Sequence, residues 1–127
     1  MKKLLLFGFD TLPEIMAIHA AAAPFGAEVV SVGKEGWNRT LGELAGLDKP
    51  TGSTAPAAMG PAGKMMVFCG LEQELDGLLA ALRPVGGGAL KAVLTEHNRR
   101  WKPAGLYSEL SRERQAMAAL RKKEGGR

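Results

Sequence analysis

A chain of 127 residues, 46% hydrophobic and 24% charged, has the makeup of one globular domain or two merged halves, and can bury a core. Its single cysteine excludes an internal disulfide and a thiolate metal cluster, and suits a reducing cytoplasm. The net charge of +4 is lopsided: from Arg99 onward nine Lys/Arg stand against three Glu, which leaves −2 on the residues before it.

The opening MKKLLLFGFD imitates a signal peptide, but the apolar run stops at Asp10, and Thr11, Pro13 and Glu14 follow. Lys2 to Phe9 therefore reads as a strand buried on both faces. No run is long enough to cross a bilayer, so no membrane partner is expected. The spacing of Thr11 and Glu14 predicts a capping box at the start of a helix. That helix carries Ile15, Ile18, His19 and Ala22 on one stripe, which makes His19 a half-buried core residue. Ala23 to Gly26 ends it. Ala27 to Gly33 is the second strand, and a short helix follows from about Arg39, within Gly36 to Leu47.

From Asp48 to Gly63 the composition turns to Pro, Gly, Ser, Thr and Ala without periodicity, which predicts a flexible, dispensable linker. The pattern then restarts. Lys64 to Gly70 is an apolar strand, and Glu72, Glu74 and Asp76 open a helix with a Leu75, Leu78, Leu79 and Leu82 stripe. Ala89 to Glu96 is a fourth strand. Pro103 opens a long helix with Leu106, Leu110, Met117 and Leu120 on one face, and residues 124–127 fray.

The two parts match residue by residue. Lys3 and Phe7 fall on Lys64 and Phe68, both 61 apart, and Ile15, Ile18, Ala22, Pro24 and Gly26 fall on Leu75, Leu78, Leu82, Pro84 and Gly86, all 60 apart. Trp37 falls on Trp101, 64 apart. The expectation is an α/β fold built by internal duplication: one β-α-β-α unit at 1–47, a linker at 48–63, and a second unit at 64–123. The unalternating first strand of each unit belongs at the centre of a four-stranded sheet, the polar-dotted second strand at an edge, with helices packed on it. A ferredoxin-like arrangement is an alternative.

The stretch VLTEHNRRWKP (Val93 to Pro103) concentrates the polar chemistry. Thr95, His97, Asn98, Arg99, Arg100 and Trp101 follow a strand, where α/β sheets commonly place ligand sites, and Lys91 precedes them in that strand. His97 is a candidate base and Asn98 a candidate donor to an anion. The architectural reading is that Thr95 and Asn98 bond their own backbone and Trp101 caps the core. The equivalent VGKEGWNRT keeps the tryptophan without a histidine, which favours architecture. Cys69 sits before a helix start, where a thiol can be activated, but a lone cysteine in MMVFC is more often a small core hydrophobe. The glycines match no phosphate loop, and two histidines on unlike elements make no metal set.

The segments KMMVFCGLEQELDGLLAALR, KAVLTEHNRRW and LYSELSRERQAM resemble the bacterial family known as domain of unknown function 3783, over Lys64 to Met117. The most distinctive piece, KAVLT-x-x-N-x-x-W, marks Lys91, Thr95, Asn98 and Trp101. The resemblance implies a bacterial, cytoplasmic, compact domain and transfers no catalytic residue. The resulting expectation is a non-enzymatic regulatory or partner-binding domain with no cofactor, contacting another protein or a second copy through Met117 and Leu120. The rivals are a small-molecule-binding protein or enzyme using residues 95–101, and a nucleic-acid binder using the basic C-terminal segment around Arg99, Arg100, Trp101 and Lys102.

Overall fold

The computed structural model describes residues 2–49, 60–85 and 88–125, with side chains described as far as Leu120. The strands are β1 (Lys3–Phe7), β2 (Glu28–Val32), β3 (Met65–Cys69) and β4 (Leu90–Val93); the helices are α1 (Leu12–Ala22), α2 (Leu41–Leu44), α3 (Leu75–Leu82) and α4 (Pro103–Gly125). KLLLF and MMVFC lack polar alternation because both of their faces are covered, and they take the centre of a four-stranded sheet ordered β2-β1-β3-β4. The half-exposed strands β2 and β4 form its edges, as expected.

Each β-α-β unit keeps its own strands adjacent. β1 runs parallel to β2 and β3 parallel to β4, with α1 and α3 as the crossovers that parallel pairing requires. The two parallel pairs have the same register offset of 25 residues, Lys3 against Glu28 and Met65 against Leu90. Between them β1 and β3 meet antiparallel, Leu5 opposite Val67 and Leu6 opposite Met66.

Strand alternation sorts the core into two layers. Leu4, Leu6, Met66 and Phe68 face α1 and α3, where Ile18, Ala22, Leu78 and Leu82 are buried. Leu5, Phe7, Met65, Val67 and Cys69 face α2 and α4, where Leu41 and Leu106 are buried. Each fully buried leucine or phenylalanine contributes about 1.5–3 kcal/mol, so both layers are needed for stability. The sheet thus separates α1 from α4.

Several expectations are corrected. Thr11 precedes α1 but makes no side-chain cap, Pro13 offering no N–H there, and the Glu14 side chain turns to Lys64, with Nζ to Oε2 at 2.8 Å. A charge-assisted bond outcompetes a neutral backbone donor. The Thr40 and Glu43 pair, unnoticed in the sequence, forms a full capping box on α2. His19 is exposed, because the buried arc of α1 runs through Ile15, Ile18, Ala22 and Phe25 and turns away from it. β4 ends at Val93 rather than Glu96, since residues 96–100 form turns. The flexible linker at 48–63 remains an expectation; at the ends of that stretch Asp48 binds Arg99, and a Cβ on Gly60 would lie 2.3 Å from the Trp37 ring. Residues 50–59 of that stretch lie outside the described residues. Of the expected frayed end, Glu124 and Gly125 continue α4, and 126–127 lie outside the described residues.

Candidate functional site

Where β4 ends, the chain must turn back to begin α4, and Thr95 and Asn98 make that turn. Asn98 N–H donates to Thr95 Oγ1 at 3.1 Å, and Thr95 N–H donates to Asn98 Oδ1 at 2.9 Å. The pairing has the reciprocal form of a helix capping box. Asn98 Nδ2 also donates to the Val93 carbonyl at 3.1 Å, so both ends of its amide are committed to backbone. Asn98, 8% exposed, is the buried polar residue of the described chain, and no buried side-chain N or O among the described residues lacks a partner. Burial without those bonds would cost about 1–3 kcal/mol per lost partner, which is why a residue with both donor and acceptor stands here.

The turn then docks on the first unit. The Arg99 carbonyl accepts from Gly42 N–H at 2.7 Å and the Trp101 carbonyl accepts from Leu41 N–H at 2.9 Å. These bonds satisfy donors that a helix N-terminus otherwise leaves open. A Cβ on Gly42 would lie 3.1 Å from that Arg99 carbonyl and 2.0 Å from Asp48 Oδ2, so close backbone approach requires glycine.

Arg99 forks over the same junction. Nη2 and Nε reach Asp48 at 2.6 and 3.3 Å, and Nη1 reaches Glu96 at 2.9 Å. The hydrogen bond from Arg99 holds the Asp48 carboxyl below the usual carboxylate range, partly opposed by desolvation and assisted by the charges of Arg99 and Arg100. The bonds to Asp48 and Glu96 push the guanidinium up in turn. Lys102 Nζ donates to Asn38 Oδ1 at 3.0 Å. Two of the three cations flanking Trp101 therefore have partners at this junction.

His97 is exposed, with its ring edge-on to Trp101 at 5.0 Å between centroids and 68° between planes. Trp101 packs against the core layer that includes Leu94 and Leu106. Thr95, His97, Asn98, Arg99 and Trp101 are thus brought together, with Arg100 exposed beside them. Lys91 is not: it lies mid-strand, exposed, with Nζ 3.3 Å from the Ala89 carbonyl, in a recess shared with Leu79, Arg83 and Gly88.

At the carboxyl ends of β3 and β4 an open cavity of about 460 Å³ is lined by Leu47, Gly70, Glu72, Val93, Leu94, Thr95, Glu96 and Arg99. Its charged lining is Glu72 and the Arg99–Glu96 pair. Cys69, 2% exposed, has its thiol pushed up to about 12 by burial, so it is protonated near neutrality and behaves as a small hydrophobe. Among the described residues no group of three His, Cys, Asp or Glu is placed to hold a metal ion.

Sequence reasoning missed the Asp48–Arg99 pair and the Gly42 approach. The Thr40-x-x-Glu43 pattern was a readable signal for where α2 begins, but nothing local linked Asp48 to a residue 51 positions away. No helix among the described residues is long and apolar enough to cross a membrane.

No curated protein and no solved structure gives a significant match to the chain. Residues 64–117, which are 54 of the 127 and cover β3, α3, β4, the turn and the first 15 of the 23 residues of α4, match the family model described as Domain of unknown function (DUF3783).

Proposed function

We propose that this chain is a non-catalytic, partner-binding domain whose contact surface is the distal half of α4. One observation carries the reading. Leu106 is buried and Leu110 half-buried against the sheet, but every side chain from Arg112 to Leu120 is exposed, including Met117 at 53% and Leu120 at 51%. A strand of five residues spans about 17 Å, whereas the 23 residues of α4 span about 35 Å. The overhang contains the unbroken apolar run Ala116 to Leu120, a pattern that a solvated helix end does not need.

The turn at 95–101 supports this reading from the other side. Thr95 and Asn98 are occupied in closing the turn and Arg99 in joining it to the first unit. Among the described residues His97 has only its ring contact with Trp101 and no hydrogen bond to orient it for base catalysis. The reading includes an internal duplication, supported by the equal offset of 25 and by the ion pairs from Lys2 to Glu74 and from Lys64 to Glu14. The register matches Lys3 to Met65, 62 apart, in place of the expected 61 that put Phe7 on Phe68, which face opposite sides of the sheet. It also includes a bacterial cytoplasmic home, supported by the family similarity and by a lone cysteine used as core.

The test is affinity capture from a lysate of the encoding organism with wild type and with a Met117→Asp, Leu120→Asp double variant. The expected result is a bound protein retained by wild type and by His97→Ala but lost by the double variant. Retention by the double variant overturns the assignment to α4.

A further inference from the structure

We infer that the partner of α4 is a second copy of this chain, and that the tail of one copy lies on the outer face of α1 of the other; this rests on the partner-binding reading above. The large apolar side chains exposed among the described residues are Leu12, Met16, Leu47, Met117 and Leu120. Four of these five belong to two helices: Met117 and Leu120 to α4, Leu12 and Met16 to α1. On α1 they begin a stripe, Leu12, Met16 and Ala20, continued by Ala23 just past the helix end, in which every residue is exposed. Except for Glu14 and His19 the helix LPEIMAIHAAA is apolar all round, a composition expected of a helix covered on both sides. Its inner side is covered by the sheet and α3, and its outer side is open.

Charge selects which surface meets which. The segment Asp10 to Gly26 contains Asp10 and Glu14 and no Lys or Arg; Glu14 is paired with Lys64, which leaves −1 from Asp10. The segment 112–124 contains Arg112, Arg114, Arg121, Lys122 and Lys123 against Glu113 and Glu124, for a net +3. Pairing α4 with α4 would set like charges side by side, whereas α4 on α1 sets opposite charges together. Small residues at Ala20 and Ala23 allow a helix to approach closely there.

A chain cannot satisfy its own α1 in this way. α1 lies over Leu4, Leu6, Met66 and Phe68, and α4 lies over Leu5, Phe7, Met65 and Val67, so the whole sheet stands between them. Docking must occur between copies. Two reciprocal contacts about a two-fold axis close the pair, so that each tail fills the other copy's stripe.

The experiment is site-specific cross-linking in the full chain, with native Cys69 retained because it is buried and protonated. Met16→Cys and Met117→Cys chains are mixed and joined with a short bis-maleimide, alongside sedimentation of the unlabelled chain over a concentration range. The expected product is a mixed Met16→Cys/Met117→Cys dimer, with Met16→Asp and Leu120→Asp each raising the dimer Kd about tenfold or more. All the altered side chains are exposed, and a circular dichroism melt checks that each variant folds. Products linking only Met117→Cys to Met117→Cys overturn the docking on α1 while leaving α4 a contact surface. A monomer at every concentration overturns the second copy. If the capture experiment above still depends on Met117 and Leu120 in that case, the partner-binding reading survives alone; if it does not, both fall.

Discussion

Replacing Asn98 with alanine tests whether the polar turn is architecture or a ligand site. The substitution removes two hydrogen bonds, one accepted from Thr95 N–H and one donated to the Val93 carbonyl, from a residue that is 8% exposed. Each bond is worth about 0.5–1.5 kcal/mol net, and a buried group left unpaired costs about 1–3 kcal/mol. Thr95 is exposed, so water can reach its amide, whereas the Val93 carbonyl lies at the half-buried strand end. The sum is a loss of about 2–4 kcal/mol. For a domain of this size, that corresponds to a fall in Tm of roughly 8–15 °C. The assay is thermal and urea denaturation of Asn98→Ala beside His97→Ala, whose exposed edge-on contact with Trp101 is worth about 0.5–1.5 kcal/mol at most. An Asn98→Ala loss below that of His97→Ala would refute the reasoning, because the amide would then be free to meet a ligand.

Acid should weaken the junction. The folded Asp48 carboxyl is held below its ordinary value of 3.8, so its stabilising effect is complete above that value and is lost as pH falls through the depressed one; urea midpoints from pH 6 to pH 2 should drop more for wild type than for Asp48→Asn. Gly42→Ala should cost about 1–3 kcal/mol by overpacking Asp48 and the Arg99 carbonyl, read as a denaturation midpoint, with part of the loss recovered in an Asp48→Ala background. Cys69 should resist a thiol reagent at pH 8 in the folded chain and react fully in guanidinium, since burial pushes its thiol up to about 12.

The apolar runs made the fold legible. KLLLF and MMVFC announce strands covered on both faces, and their central positions follow from that alone. Parallel or antiparallel contact between them was unreadable, because two uniformly apolar strands carry no mark of direction. The site was only half legible. Thr95 and Asn98 stand three apart, the spacing that lets side chains and backbone amides pair reciprocally, and they do so. The partners of Arg99 were hidden, because a salt bridge between positions 48 and 99 depends on how two units fold together. His19 was misplaced because α1 is apolar on nearly every side, and only packing against the sheet and α3 selects the buried arc. The outer stripe of α1 was missed for the same reason: in a helix this apolar, no contrast in hydropathy marks which side faces water.

The most direct test of the central claim is backbone amide hydrogen exchange, mapped along the full chain in dilute solution and with its partner at saturation. In dilute solution the amides of Arg112 to Leu120 should exchange faster than those of Leu106 to Leu110, because the overhang lacks tertiary cover. On binding, protection should rise across 112–120 and stay unchanged at 95–101. Protection that rises at 95–101 and leaves 112–120 unaltered would contradict the account and return the turn to the place of a functional site.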